Sequence, residues 1–82
     1  MKFILILHLC SLISGQCLES TTPGYMFKSH YDCAIAGYAL GQESMKLLAQ
    51  DESYYGKDRI NKEKLAIKFE CKELQSSWHY LP

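Results

Sequence analysis

Residues 29–49 read SHYDCAIAGYALGQESMKLLA and carry the clearest helical pattern in the chain. Ser29 is a candidate N-cap, because its hydroxyl can accept a hydrogen bond from the backbone N–H of Asp32. Small or apolar side chains then recur every three or four residues along one face, and they are Cys33, Ala36, Gly37, Leu40, Leu47 and Leu48. The pattern predicts a helix over 29–49 that packs on another element through this stripe.

Residues 64–72, KLAIKFECK, supply the second predicted element. Apolar and charged side chains alternate here with a period of two, which is typical of a strand with one buried face. Cys71 lies on the apolar face of this strand and Cys33 on the apolar stripe of the helix, so the sequence favours a disulfide between them. A bridge that closes a loop of about 39 residues stabilises a domain by about 4 kcal/mol in the loop-entropy relation. The predicted fold is one small α/β domain with the helix packed on the strand.

Residues 1–15 have the layout of a secretory signal peptide. Lys2 provides the positive start, residues 3–13 form the apolar run FILILHLCSLI, and small residues precede Gln16. Cleavage after Gly15 would leave a single domain over 16–82. Because the run is shorter than the about 20 residues of a membrane-spanning helix, the sequence predicts an exported protein, periplasmic or secreted. No stable membrane span is expected after removal of this leader.

The alternative for the same segment is a buried strand over 2–10. A continuous apolar run of this length is typical of a central strand, and His8 fits a strand better than the core of a signal peptide. Such a strand would pair with 64–72 in a parallel β-α-β unit with a right-handed crossover. This alternative retains the leader and predicts a cytoplasmic protein with reduced or metal-bound thiols.

The rest of the chain is predicted to connect and close the domain. Residues 17–28 form a linker by composition, with a turn at Pro23 and Gly24. Residues 50–63 are polar and form a connection with room for a short second helix. Residues 75–82 form a loose tail with little pattern.

The state of Cys17 depends on the fate of the leader. Removal of residues 1–15 takes Cys10 away and leaves three of the four cysteines. In an oxidising compartment, an odd thiol is free or forms an intermolecular bond, so Cys17 would then link to a partner or to a second copy in a homodimer. If the leader stays, Cys17 can pair with Cys10.

The charge balance excludes one class of partner. The chain has 9 Lys and Arg against 9 Asp and Glu, which gives a formal net charge of zero. Phosphate backbones and anionic membranes attract basic surfaces, and this composition provides no general excess of positive charge. The sequence therefore predicts no nucleic-acid partner.

Two groups of residues could carry chemistry, and each has a simpler interpretation. His30 precedes Cys33 at the predicted helix start, where a thiol can be activated as a nucleophile. His30, Cys33, Cys71 and His79 also have the right ligand types for zinc, but they lack compact Cys-x-x-Cys spacing. The sequence favours a disulfide cysteine preceded by capping residues, and it assigns no catalytic residue, no cofactor and no metal.

Aromatic residues offer a third feature, which is a binding surface. The chain has one tryptophan, Trp78, and six tyrosines, which are Tyr25, Tyr31, Tyr38, Tyr54, Tyr55 and Tyr80. Exposed aromatic side chains are typical of protein interfaces, although such residues also rim small cores. Binding to another protein is therefore favoured over enzymatic activity.

The segments CSLISGQC, PGYMF, SHYDC and INKEKLAIKFECKE together give the chain a resemblance to a group of short uncharacterised proteins encoded by marine bacteriophages. The resemblance covers residues 1–73, and the motifs around Cys33 and Cys71 carry most of it. No activity is established for that group, so no functional residue is transferred. The resemblance implies a viral accessory protein whose partner is a protein of the host envelope.

Overall fold

The structure is a computed structural model and describes residues 2–74. The elements in chain order are β1 (Lys2–Ser11), β2 (Cys17–Thr21), β3 (Met26–Phe27), α1 (His30–Gln50), α2 (Gly56–Glu63) and β4 (Leu65–Leu74). The four strands form one antiparallel sheet, and α1 packs on one face of it. The prediction of a small single α/β domain with one main helix is confirmed.

Strand β1 is the centre of the sheet. β4 pairs with its whole length, from Lys2 opposite Leu74 to Ser11 opposite Leu65. β2 and β3 pair with successive parts of its other edge. The N-terminal segment is thus a central strand here, as in the alternative to a signal peptide. A chain cleaved after residue 15 would lack the strand through which the other three are joined.

The direction of β4 corrects one expectation. β1 and β4 run antiparallel, whereas a β-α-β unit requires parallel strands. The reason lies in residues 17–28, the predicted linker, because they contain β2 and β3. β2 carries the chain back along β1, so that α1 starts near the beginning of β1 and β4 enters the sheet at the other end.

Helix α1 begins where the sequence predicts. The backbone N–H of Asp32 donates to the Ser29 hydroxyl over 3.1 Å, which satisfies one of the free N–H groups of the first turn. The polar connection that follows contains α2, and Lys64 ends this helix in the left-handed conformation, with φ of 53°. Within residues 2–74, no helix has both the length and the apolar character needed to cross a membrane.

The core lies between the first half of α1 and the strands β1 and β4. Leu5, Leu7 and Cys33 are buried at its centre. Seven partly buried side chains pack around them, namely Phe3, Phe27, Ala36, Leu40, Ile67, Phe69 and Cys71. Because side chains alternate along a strand, β1 also presents Ile4, Ile6 and His8 to the opposite face of the sheet. We call that opposite face, which is turned away from α1, the outer face.

Candidate functional site

An apolar groove lies between the second half of α1 and the β2 side of the sheet. Its volume is about 300 Å³, and its lining consists of Leu7, Leu9, Glu19, Thr21, Ser44, Leu47, Leu48, Asp51 and Ile67. We call it the α1–β2 groove. Binding sites for small ligands and single side chains are typically concave and largely apolar, with a few polar groups at the rim. The groove has this composition.

The groove exists because α1 packs mainly on β4 and β1. The strand β2 pairs with the far edge of β1, so it lies beside the helix rather than beneath it. Leu7 and Leu9 of β1 form an apolar floor, and both are almost completely buried. Leu47 was predicted as part of the core stripe, but its side chain is 58% exposed and lies at the mouth of the groove.

Two carboxylates, Glu19 and Asp51, are the charged groups of the lining, and none of the lining residues is basic. Glu19 Oε2 accepts a hydrogen bond from the phenolic O–H of Tyr55. This hydrogen bond is the largest of the effects that raise the pKa of Tyr55 to about 12. Asp51 Oδ1 accepts from the Ser53 hydroxyl over 2.8 Å. The rim is therefore suited to a cationic group beside an apolar one.

Arg59 of α2 holds the tyrosine that contacts the rim. Its guanidinium carbon lies 4.8 Å from the ring centroid of Tyr55 and 4.9 Å from that of Tyr54, within the range of a cation–π contact. Arg59 Nε donates to Glu63 Oε2 over 2.8 Å, one helical turn away. A chain of contacts thus runs from α2 through Tyr55 to Glu19.

All four cysteines are in disulfides. Cys33 is joined to Cys71, the pair that the sequence favours. Cys17, the candidate for a free or intermolecular thiol, is joined to Cys10, which is the pairing expected with a retained leader. The Cys33–Cys71 bridge ties α1 to β4, and the Cys10–Cys17 bridge closes the turn between β1 and β2.

Within residues 2–74, the candidates for a reactive thiol and for metal ligands do not have the arrangement that either role requires. Cys33 is fully buried and bonded to Cys71, so its sulfur is not available as a thiolate. The ring of His30 packs edge-on against Phe3, with 6.0 Å between the centroids. Within residues 2–74, no three His, Cys, Asp or Glu side chains are grouped so that they could hold a metal ion. His79 lies outside the described residues.

Within residues 2–74, four tyrosines are exposed, and they do not form one surface. Tyr25, Tyr31, Tyr38 and Tyr54 are all more than half exposed. Three of them pack edge-on against different aromatic neighbours, Tyr25 on Phe27, Tyr38 on Phe69 and Tyr54 on Tyr55. Tyr80 and Trp78 lie outside the described residues. Tyr55 contacts the rim of the groove through Glu19.

No protein-family model, curated protein or solved structure matches this chain.

Proposed function

We propose that the protein is a small disulfide-stapled binding protein that binds another polypeptide through the α1–β2 groove. The observation that carries this proposal is the α1–β2 groove, with its apolar floor and its carboxylate rim. Its occupant is a segment of the partner in which a large apolar side chain is flanked by lysine or arginine. The apolar side chain enters over Leu7 and Leu9, and the basic residue lies beside Glu19 or Asp51.

The apolar contact and the ion pair differ in how much they contribute to the free energy of binding. Burial of a leucine or phenylalanine side chain is worth about 1.5–3 kcal/mol. An ion pair at an exposed rim adds about 0.2–1 kcal/mol and mainly sets orientation. A single anchoring segment should therefore bind weakly, with a Kd on the order of 1 mM or above. Tighter binding would require further contacts from a folded partner.

Two observations support an oxidising compartment with the leader retained. Disulfides persist in exported proteins and are rare in the cytosol, and this chain has two. The central position of β1 requires residues 2–11 in the folded protein. The resemblance to short marine phage proteins supports a viral accessory role, with a host envelope protein as the partner.

Two short peptides that differ only in charge test the groove. Both carry one central phenylalanine among alanines, flanked by lysines in one peptide and by glutamates in the other. Each is titrated to millimolar concentration into ¹⁵N-labelled protein, and backbone amide shifts are followed by NMR. We expect the lysine peptide to shift the amides of residues that line the groove and the glutamate peptide to shift them much less.

A matched pair of exposed apolar residues on α1 provides the control. Leu47 is 58% exposed and lines the groove, whereas Ile35 is 52% exposed and does not line it. Leu47→Glu should abolish the shifts caused by the lysine peptide, and Ile35→Glu should leave them unchanged. Equal shifts from the two peptides, or shifts that survive Leu47→Glu, would reject the proposal.

A further inference from the structure

The outer face of the sheet carries an array of serine, histidine and glutamate. His8 lies on the central strand β1, Ser20 on β2 and Glu70 on β4. His8 Nδ1 is 2.6 Å from Ser20 Oγ, and His8 Nε2 is 3.0 Å from Glu70 Oε1. The imidazole ring therefore bridges the other two side chains across three adjacent strands.

The carboxylate fixes the roles of the two ring nitrogens. An ionised carboxylate can only accept hydrogen bonds, so His8 Nε2–H must donate to Glu70. In the neutral imidazole, Nδ1 is then unprotonated, and it accepts the hydrogen bond from the Ser20 hydroxyl. A serine whose proton points at a basic nitrogen, itself oriented by a carboxylate, is the arrangement that activates serine as a nucleophile.

We infer that Ser20 is an activated nucleophile that reacts with small activated acyl esters. Ser20 Oγ attacks the ester carbonyl carbon while His8 Nδ1 takes the hydroxyl proton. The carbon–oxygen bond to the leaving group then breaks, and His8 returns the proton to the departing oxygen. Water then attacks the acyl carbon as His8 Nδ1 takes its proton, the bond from that carbon to Ser20 Oγ breaks, and His8 returns the proton to Ser20 Oγ as the acid leaves. Glu70 is a positioning residue, because its carboxylate accepts the hydrogen bond from His8 Nε2–H and so orients the imidazole.

Solvent access limits the substrates to esters with good leaving groups. Ser20 is exposed, and the side chains of His8 and Glu70 are 25% and 55% exposed. Electrostatic stabilisation of a tetrahedral intermediate is strongest in a site that excludes water, so this open site should not cleave amides. The array lies on the outer face, whereas α1 and its groove lie on the other face. This inference is therefore independent of the proposed function.

The test uses acetylation by p-nitrophenyl acetate, followed residue by residue with peptide mass spectrometry. Ser53 is an internal control, since its hydroxyl contacts the Asp51 carboxylate at 2.8 Å with no histidine between them. A general base contributes about 100-fold or more to such a step. We therefore expect Ser20 to be acetylated at least about 100-fold faster than Ser53. His8→Gln should bring the Ser20 rate down to the Ser53 rate.

Variants at Glu70 test the positioning role without altering the central strand. Glu70→Gln should lower the Ser20 rate by at least about tenfold, and Glu70→Asp, which keeps the carboxylate, should retain more of it. Neither change should alter the acetylation rate of Ser53, whereas a general loss of structure would alter it. The inference is overturned if Ser20 and Ser53 react equally. It is also overturned if nitrophenol release is unchanged in Ser20→Ala, because the imidazole would then be acting alone.

Discussion

Gly37 of α1 lies against the aromatic ring of Phe69 on β4. A Cβ atom at position 37 would come within 2.7 Å of three carbons of that ring. At Gly41, one turn further on, a Cβ atom would make an ordinary contact of 3.6 Å with Ile67 Cγ2. The close packing of α1 on β4 therefore requires glycine at position 37 but not at position 41.

The two glycines should respond in opposite directions to alanine. In a helix, alanine is favoured over glycine by up to about 1 kcal/mol, which Gly41→Ala should gain. Gly37→Ala gains the same helical preference for alanine, but it forces the Phe69 ring to move. Such overpacking costs about 1–3 kcal/mol. We expect a net loss of up to about 2 kcal/mol in the free energy of unfolding for Gly37→Ala. Urea denaturation of both variants measures the difference, and equal stabilisation by both would disprove the close approach.

The two disulfides should contribute unequally to stability. Cys33 and Cys71 are 38 residues apart in sequence, whereas Cys10 and Cys17 are separated by 7. In the loop-entropy relation, the longer bridge stabilises by about 4 kcal/mol and the shorter by about 2.5 kcal/mol. Replacing Cys33 and Cys71 by alanine should therefore lower the free energy of unfolding more than replacing Cys10 and Cys17.

Urea denaturation of the two double variants provides this comparison. The free energy of unfolding of a small domain is about 5–15 kcal/mol. Loss of the longer bridge would therefore remove a large share of the stability. A larger loss from the Cys10 and Cys17 pair would contradict the entropic ranking. Peptide mapping of the oxidised protein provides a separate check, because it should recover only the two pairings of the structure.

Local pattern predicted the main elements well. Residues 29–49 and 64–72 were predicted as a helix and a strand, and the structure has them at His30–Gln50 and Leu65–Leu74. Ser29 and the alternating side chains supply these signals within a few residues of sequence. The strand β2 was not predicted, because CLEST is polar and fully exposed on an edge, and its formation depends on pairing with β1. Because the sequence pattern does not indicate β2, which reverses the chain along β1, it predicts the wrong direction for β4.

The pKa of Tyr55 provides a prediction about the rim of the groove. It is raised from 10.0 to about 12, mainly by the hydrogen bond to Glu19. Phenolate absorbance should therefore show a component that titrates near pH 12. Tyr55→Phe should remove this component, Glu19→Gln should move it toward 10, and Tyr54→Phe should move it much less than Glu19→Gln does. A late component that survives Tyr55→Phe would contradict the contact.

The same shift has a consequence for stability at high pH. The pKa of Tyr55 is higher in the folded protein than in the unfolded chain. The hydrogen bond from Tyr55 to Glu19 therefore stabilises the fold fully below about pH 10, and this stabilisation is lost as the pH rises through about 12. The difference in urea midpoint between the unsubstituted protein and Tyr55→Phe should therefore shrink across this interval. Because the Tyr55 side chain is still partly exposed to solvent, the change should be small. A difference that grows with pH would have the wrong sign.

The candidate sites were less predictable than the fold. The α1–β2 groove combines Leu9, Glu19 and Leu47 from three separate elements, and no local motif connects them. Leu47 has the spacing of a core residue but is 58% exposed and lines the groove. His8 is unusual in an apolar run, but its partners Ser20 and Glu70 lie 12 and 62 residues away. Such contacts follow from strand register, which the sequence pattern left open.

The fold makes a direct prediction about the leader. A chain that begins at Gln16 lacks β1, which pairs with all the other described strands, and it also lacks Cys10. Buried strands leave costly unpaired N–H and C=O groups when their partner is removed. We expect this shortened chain to show no cooperative urea transition, because β2, β3 and β4 have no common partner. The Cys10→Ala and Cys17→Ala double variant is the matched control, since it loses the same disulfide but keeps β1, and it should unfold cooperatively. A cooperative transition in the shortened chain would show that β1 is dispensable and would make cleavage after Gly15 compatible with a folded domain.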